Sequence, residues 1–127
     1  MTGASQFLCK FRCKTINVTT TAAANSPFSQ NVTGSVCFAV NGVPAPVLIL
    51  KKCKTYIFTF TSSDPALTFM LTLDNTGGQI TPGPIAGTSI ITNGQSISYT
   101  TPKCCPPQQI FYQSSIESCL GNAIIIK

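Results

Sequence analysis

The most reactive side chains in this 127-residue sequence are seven cysteines, Cys9, Cys13, Cys37, Cys53, Cys104, Cys105 and Cys119, and there is no histidine beside them. A thiolate can ligate zinc, attack a substrate or pair into a disulfide. Structural zinc sites favour Cys-x2-Cys spacings or cysteine combined with histidine. Here the close spacings are Cys9-x3-Cys13 and the adjacent pair Cys104-Cys105. A catalytic thiol needs a neighbouring base or cation to ionise, and papain-type chemistry has no imidazole to draw on. In an oxidising setting seven cysteines read as up to three disulfides with one thiol left over, free or paired to another chain. All seven are therefore candidate disulfide cysteines in a structural role, with the connectivity open.

The lack of histidine also removes the Ser-His-Asp triad and the usual imidazole acid–base catalyst. Carboxylates are confined to Asp64, Asp74 and Glu117. Asp64 and Asp74 are the one pair that glycosidase-like chemistry could use. Each stands beside a turn signal, Asp64-Pro65 and Asp74-Asn75, where an aspartate ordinarily hydrogen-bonds local backbone. No catalytic residue is assigned, and the chain is read as a non-enzyme.

The elements that would carry these residues read as strands. Residues 1–35 form an N-terminal arm or first strand, with a period-two pattern from Cys9 to Lys14. The stretch from Thr19 to Pro27 reads as a loop or loosely held strand. Residues 36–127 form the body. Strands are expected at Val36–Val40, Val47–Leu50, Thr55–Thr61, Leu67–Leu73, Gly87–Ile91, Ser96–Thr100, Gln109–Gln113 and Ala123–Ile126. Asn41-Gly42 and Asn93-Gly94 mark turns, and Asp74 to Ala86 is a long loop. Many short strands without a convincing helix predict an all-β sandwich.

Composition narrows the function. Charged residues are 9% of the chain, against about 25% in ordinary soluble domains, and the mean hydropathy is positive. The polar surface must then come from Thr, Ser, Asn and Gln, which cost less to bury against a partner than charges do. The net charge of +5 is spread without one long lysine run, so nucleic acid is not expected as a partner. The apolar run from Val43 to Leu50 holds two prolines and is too short to span a bilayer. The start of the chain has no apolar leader segment, so no signal peptide is read in it. Sequons stand at Asn17 and Asn31; such matches arise readily by chance in a Thr/Asn-rich chain.

Several segments, taken together, resemble a known family. Phe38-Ala39-Val40-Asn41-Gly42-Val43, Pro46-Val47-Leu48-Ile49-Leu50 and Lys54-Thr55-Tyr56-Ile57-Phe58 come first; Pro102, Ile110-Phe111-Tyr112-Gln113 and Leu120-Gly121-Asn122-Ala123-Ile124 follow near the end. In order and spacing these resemble a cupredoxin domain, over about 90 residues, roughly one sandwich. The resemblance implies an antiparallel, Greek-key, cupredoxin-like β-sandwich. In that family a type-1 copper is held by a histidine after the Tyr-x-Phe strand and by cysteine, histidine and methionine in the last loop. At those positions this sequence has Leu67, Ser114, Glu117 and Leu120. Cys119 is offset by one and does not rebuild the site alone. No metal, cofactor or electron transfer is therefore expected. The family topology also implies that Cys53 lies near Cys104 and Cys105, at the end opposite the copper positions, as a candidate pairing. Cys9 and Cys13 are candidates to tie down the N-terminal segment through Cys37.

Two functions follow. One is a non-catalytic structural assembly subunit, such as a minor capsid or filament protein in a virion or other extracellular or surface assembly, with other protein subunits as partners, self or heterologous. The alternative is a secreted or surface-exposed binding module using the loops at the former copper end.

Overall fold

The computed structural model describes residues 10–28, 36–79, 83–85, 87–102, 108–117 and 119–127. Among them run ten strands: β1 (Lys10–Ala22), β2 (Val36–Val40), β3 (Val43–Pro44), β4 (Leu48–Leu50), β5 (Lys54–Phe60), β6 (Thr68–Thr72), β7 (Ile91–Thr92), β8 (Ser96–Thr100), β9 (Gln108–Gln113) and β10 (Ala123–Ile126). They form two five-stranded sheets, ordered β3-β2-β1-β5-β8 and β4-β10-β9-β6-β7. The chain crosses between the sheets at β3–β4, β4–β5, β5–β6, β7–β8 and β8–β9.

The period-two pattern of each strand decides what is buried. Along β5, Tyr56, Phe58 and Phe60 point into the core, while Thr55, Ile57 and Thr59 face outward. Along β1, Ile16 and Val18 are buried and their neighbours Thr15, Asn17 and Thr19 are exposed. The outer face of this sheet is a ladder of uncharged groups: Thr55 Oγ1 lies 2.9 Å from Thr100 Oγ1, and the Thr59 hydroxyl donates to Asn17 Oδ1 at 2.7 Å. The inner faces meet through rings. Phe69 of β6 packs against Phe38 at 5.3 Å, Phe60 at 5.6 Å, Phe58 at 6.0 Å and Tyr112 at 6.3 Å between centroids.

The all-β sandwich is as expected, but its sheets are mixed. β1 pairs parallel with β5, and β10 pairs parallel with β4, where the expectation was antiparallel throughout. Alternation along one strand reports its buried face and is blind to its neighbour's direction. Parallel pairing needs a long crossover, and β2, β3 and β4 supply one between β1 and β5. Thr19–Ala22 continues β1, paired with β2 from Val18 opposite Val40 to Ala22 opposite Val36, before a 3-10 turn at Ala23–Asn25. The short strand expected at Gly87–Ile91 lies instead at Ile91–Thr92. Asn41-Gly42 forms the two-residue hairpin turn, with φ of 51° and 82°, the left-handed pair such turns require.

At the lower end of the sandwich the turn before β5 is bolted to the end of β8. The buried Thr101 hydroxyl accepts from the Lys54 N–H at 2.9 Å and donates to the Lys51 carbonyl at 2.7 Å. The Cys53 N–H donates to the Pro102 carbonyl at 3.0 Å, and Cys53 is itself disulfide-bonded. The expected pairing to Cys104 or Cys105 falls outside the described residues, as does Cys9. Cys37 does not act as the tie expected of it. Its thiol is free, fully buried, and directed at the Ala22 carbonyl at 3.7 Å. Burial raises its pKa, opposed by a hydrogen bond from Ser26, so it stays protonated at neutral pH.

Replacing Phe69 with Ala removes the ring that touches both sheets, and should cost about 3–5 kcal/mol of stability in urea or thermal unfolding. A thiol reagent should leave Cys37 unmodified in the native protein and label it fully once denatured. Non-reducing peptide mapping should recover Cys53 joined to Cys104 or Cys105.

Candidate functional site

The upper end of the sandwich gathers the four positions that the family resemblance singled out. Leu67 leads into β6, while Ser114, Glu117 and Leu120 lie on the segment joining β9 to β10. Thr68 binds the two segments together. Its Oγ1 is 3.0 Å from Ser114 Oγ and 2.7 Å from Ser115 Oγ, and it accepts from the Ser115 N–H at 2.9 Å. Ser114 Oγ also accepts from the Ile116 N–H at 3.2 Å.

Leu67 and Leu120 are fully buried members of the core, and neither side chain has a lone pair to offer a metal. The Ser114 hydroxyl is fully buried and committed to Thr68 and Ile116. Glu117 has its carboxyl pKa raised, first by partial burial and then by the charge of Asp64. As a donor set for type-1 copper these residues present one hydroxyl and one carboxylate, without thiolate or imidazole. Among the described residues no three of His, Cys, Asp or Glu stand close enough to hold a metal ion.

The aspartates serve turns. Asp64 Oδ1 accepts from the Ala66 N–H at 3.0 Å, and its carbonyl accepts from Leu67 at 3.1 Å. Asp74 accepts from the Thr76 N–H at 3.0 Å and the Gly77 N–H at 3.1 Å. Each carboxylate thus orders its own loop, as their neighbours in the sequence suggest.

A network that sequence reading did not foresee locks the last loop. The buried Gln113 side chain donates to the Asn75 carbonyl at 3.0 Å and accepts from the Gly121 N–H at 3.1 Å. Cys119, in the left-handed region at φ 63°, donates its N–H to the Thr76 carbonyl at 2.6 Å. The Tyr112 hydroxyl donates to the Pro46 carbonyl, and Asn122 Nδ2 donates to the Ala45 carbonyl at 2.8 Å. Burial, with the nearby Cys37 second, raises the Tyr112 pKa and keeps it a donor. Gly121 is the tightest point, since a Cβ there would lie 1.7 Å from the Tyr112 carbonyl oxygen. Between the loops is a cleft of about 320 Å³, bordered by Phe28, Thr76, Phe111, Cys119 and Asn122. The free thiol of Cys119 lies on its wall. Period and composition carry no signal for these contacts, which join residues 38 and 77 positions apart.

Gly121→Ala should lose at least about 3 kcal/mol, the upper range for an overpacked interior, read by chemical denaturation. Glu117 gives a pH test. Its folded pKa lies above its unfolded one, so the native state binds the proton more tightly and stability falls as pH rises past the unfolded value near 4.5. Glu117→Gln should therefore melt higher than the native sequence at pH 7, by less than about 1 kcal/mol after solvent screening. The two should converge below pH ~4, where the native carboxyl is protonated in both states.

No family profile and no curated protein sequence matches the chain. Solved structures do. It is similar to the copper protein rusticyanin, with a TM-score of 0.63 at 12% identity over 93% of this chain and 80% of that one. Rusticyanin from Thiobacillus ferrooxidans gives 0.62 at 13% identity over 93% and 79%. The McoA multicopper oxidase from the hyperthermophile Aquifex aeolicus gives 0.50 at 13% identity, over 95% of this chain and 27% of that one. At such identities the likeness is one of fold, and with the two-sheet topology it makes this chain a cupredoxin-like β-sandwich.

Proposed function

We propose that this chain is a non-catalytic structural subunit of a larger protein assembly, such as a minor capsid or filament protein of a virion or other surface assembly, built on a copper-free cupredoxin-like sandwich. The observation that carries this reading is an apolar flank. β3 and β4 end their respective sheets. Val43 of β3 is exposed at 52%, Val47 between the two strands at 49%, and Ile49 within β4 at 56%. Apolar side chains clustered on one edge mark a contact surface more often than chance does. Pro44 within β3 limits uncontrolled strand addition at the β3 edge, while β4 itself contains no proline.

Three features support the reading. The charged fraction of 9% and the threonine ladder give a surface cheap to desolvate. The donor set at the upper end does not fit type-1 copper, since Leu67 and Leu120 are committed to the core. With no histidine and with Asp64 and Asp74 holding turns, neither an imidazole catalyst nor a free aspartate pair is offered. Among the described residues no helix is long and apolar enough to cross a membrane. The cleft between the Asp74 and Cys119 loops favours a second reading, a surface binding module that uses the former copper end.

Sedimentation in native buffer, with and without reductant, tests the proposal. A defined species heavier than the 13.4 kDa monomer is expected, and Val43→Ser with Val47→Ser should dissociate it. Dissociation by reductant would assign the contact to a cysteine. A monomer under every condition would overturn self-assembly. Added copper should produce no intense blue absorption; its appearance would sink the copper-free reading.

A further inference from the structure

Lysines that are scattered in the sequence are gathered by the fold. Because β1 runs parallel to β5 with Lys14 opposite Tyr56, Lys14 stands beside the turn that carries Lys51 and Lys54. These three lysines border a cleft of about 270 Å³ walled by Leu48, Ile49 and Tyr56. Lys54 Nζ lies 5.7 Å from the Tyr56 ring centre, and the Tyr56 hydroxyl accepts from the Lys51 N–H at 2.9 Å. Tyr56 thereby fixes the turn through its hydroxyl and holds the Lys54 ammonium near its ring at the border of the cleft. No carboxylate borders the cleft among the described residues. Glu117 and Asp64 are near each other at the other end, and Asp74 holds the turn at Thr76 and Gly77. Along one side of the cleft runs β4, which ends its sheet with β10 as its neighbour and presents the exposed Ile49.

We infer that this cleft and the β4 edge receive an extended acidic segment of a partner protein, laid beside β4 as an added strand. Its carboxylates face Lys14, Lys51 and Lys54, and its alternate apolar side chains cover Ile49. Strand addition draws affinity from main-chain hydrogen bonds and specificity from alternate side chains, and the lysines select the charge. A second copy of this chain does not supply such a segment. It has three acids against eight cations, and the carboxylates of Asp64 and Asp74 are committed to their own turns. Nucleic acid answers the charge but not the apolar wall or the strand edge. The inference deepens the assembly reading by naming the chemistry of a heterologous partner, and rests on it only for the existence of that partner.

The test is fluorescence anisotropy on the full chain with a labelled peptide of alternating glutamate and valine, about six residues long to match an ordinary strand. A peptide with glutamine for glutamate and a short duplex DNA serve as competitors. The glutamate peptide should bind at least about tenfold tighter than the glutamine peptide. Its binding should weaken as added salt shortens the Debye length below about 10 Å. Lys14→Glu with Lys51→Glu should weaken it about tenfold or more, with the circular dichroism melt reporting that the variant is folded. Equal affinity for the two peptides, tighter binding of the duplex, or no binding of the glutamate peptide overturns the inference. The peptide comparison on the native sequence decides the matter even if the double variant does not fold. A monomer in sedimentation together with selective peptide binding would remove self-assembly and leave the cleft standing.

Discussion

Phe69 sits where the two sheets meet, in contact with rings from both. Phe38, Phe58 and Phe60 come from one inner face and Tyr112 from the other. Aromatic pairs in offset or edge-on contact contribute about 0.5–1.5 kcal/mol each beyond the area they bury, so a cluster of this kind sets the distance and angle between sheets. Leu67, one residue before Thr68, and Leu120, whose carbonyl accepts from the Phe38 N–H at 2.9 Å, are extensions of the same core. Their burial carries the core into the upper end of the sandwich.

The loops at that end owe their order to hydrogen bonds, among them those that the Asp64 and Asp74 carboxylates accept from backbone N–H groups. Thr68 ties Ser114 and Ser115, and Gln113 ties Asn75 to Gly121. Among the described residues no buried side-chain nitrogen or oxygen lacks a partner. A buried polar network is stabilising only when each member is satisfied, and this one is. The charges at this end are carboxylates, with Glu117 and Asp64 close enough for one to raise the pKa of the other.

The other end has the opposite character. Thr101 and Tyr56 hold the turn that carries Lys51, Lys52, Cys53 and Lys54, and the parallel pairing of β1 with β5 adds Lys14. The carboxylates stand elsewhere, so the sandwich is polarised along its strands. A chain with few charges makes each one count for more in choosing a partner, because the uncharged surface around it discriminates little.

Residue type and alternation along the chain determined several strands to their ends, with Val36–Val40, Ser96–Thr100 and Ala123–Ile126 at their expected bounds, but missed β3 and misplaced β7. They also determined the turn at Asn41-Gly42. These properties are local: a period of two and a positive φ are set by a residue and its immediate neighbours. The resemblance drew attention to Leu67, Ser114, Glu117 and Leu120 from the order of segments, and the fold brings these residues to one end of the sandwich. Strand direction within the sheets, the buried free thiol of Cys37, the Gly121 contact with Tyr112 and the gathering of Lys14 with Lys51 and Lys54 were decided by tertiary structure alone. Each depends on which strand lies beside which, and at what register. That is fixed by packing between residues far apart in the chain, which alternation along a single strand does not encode.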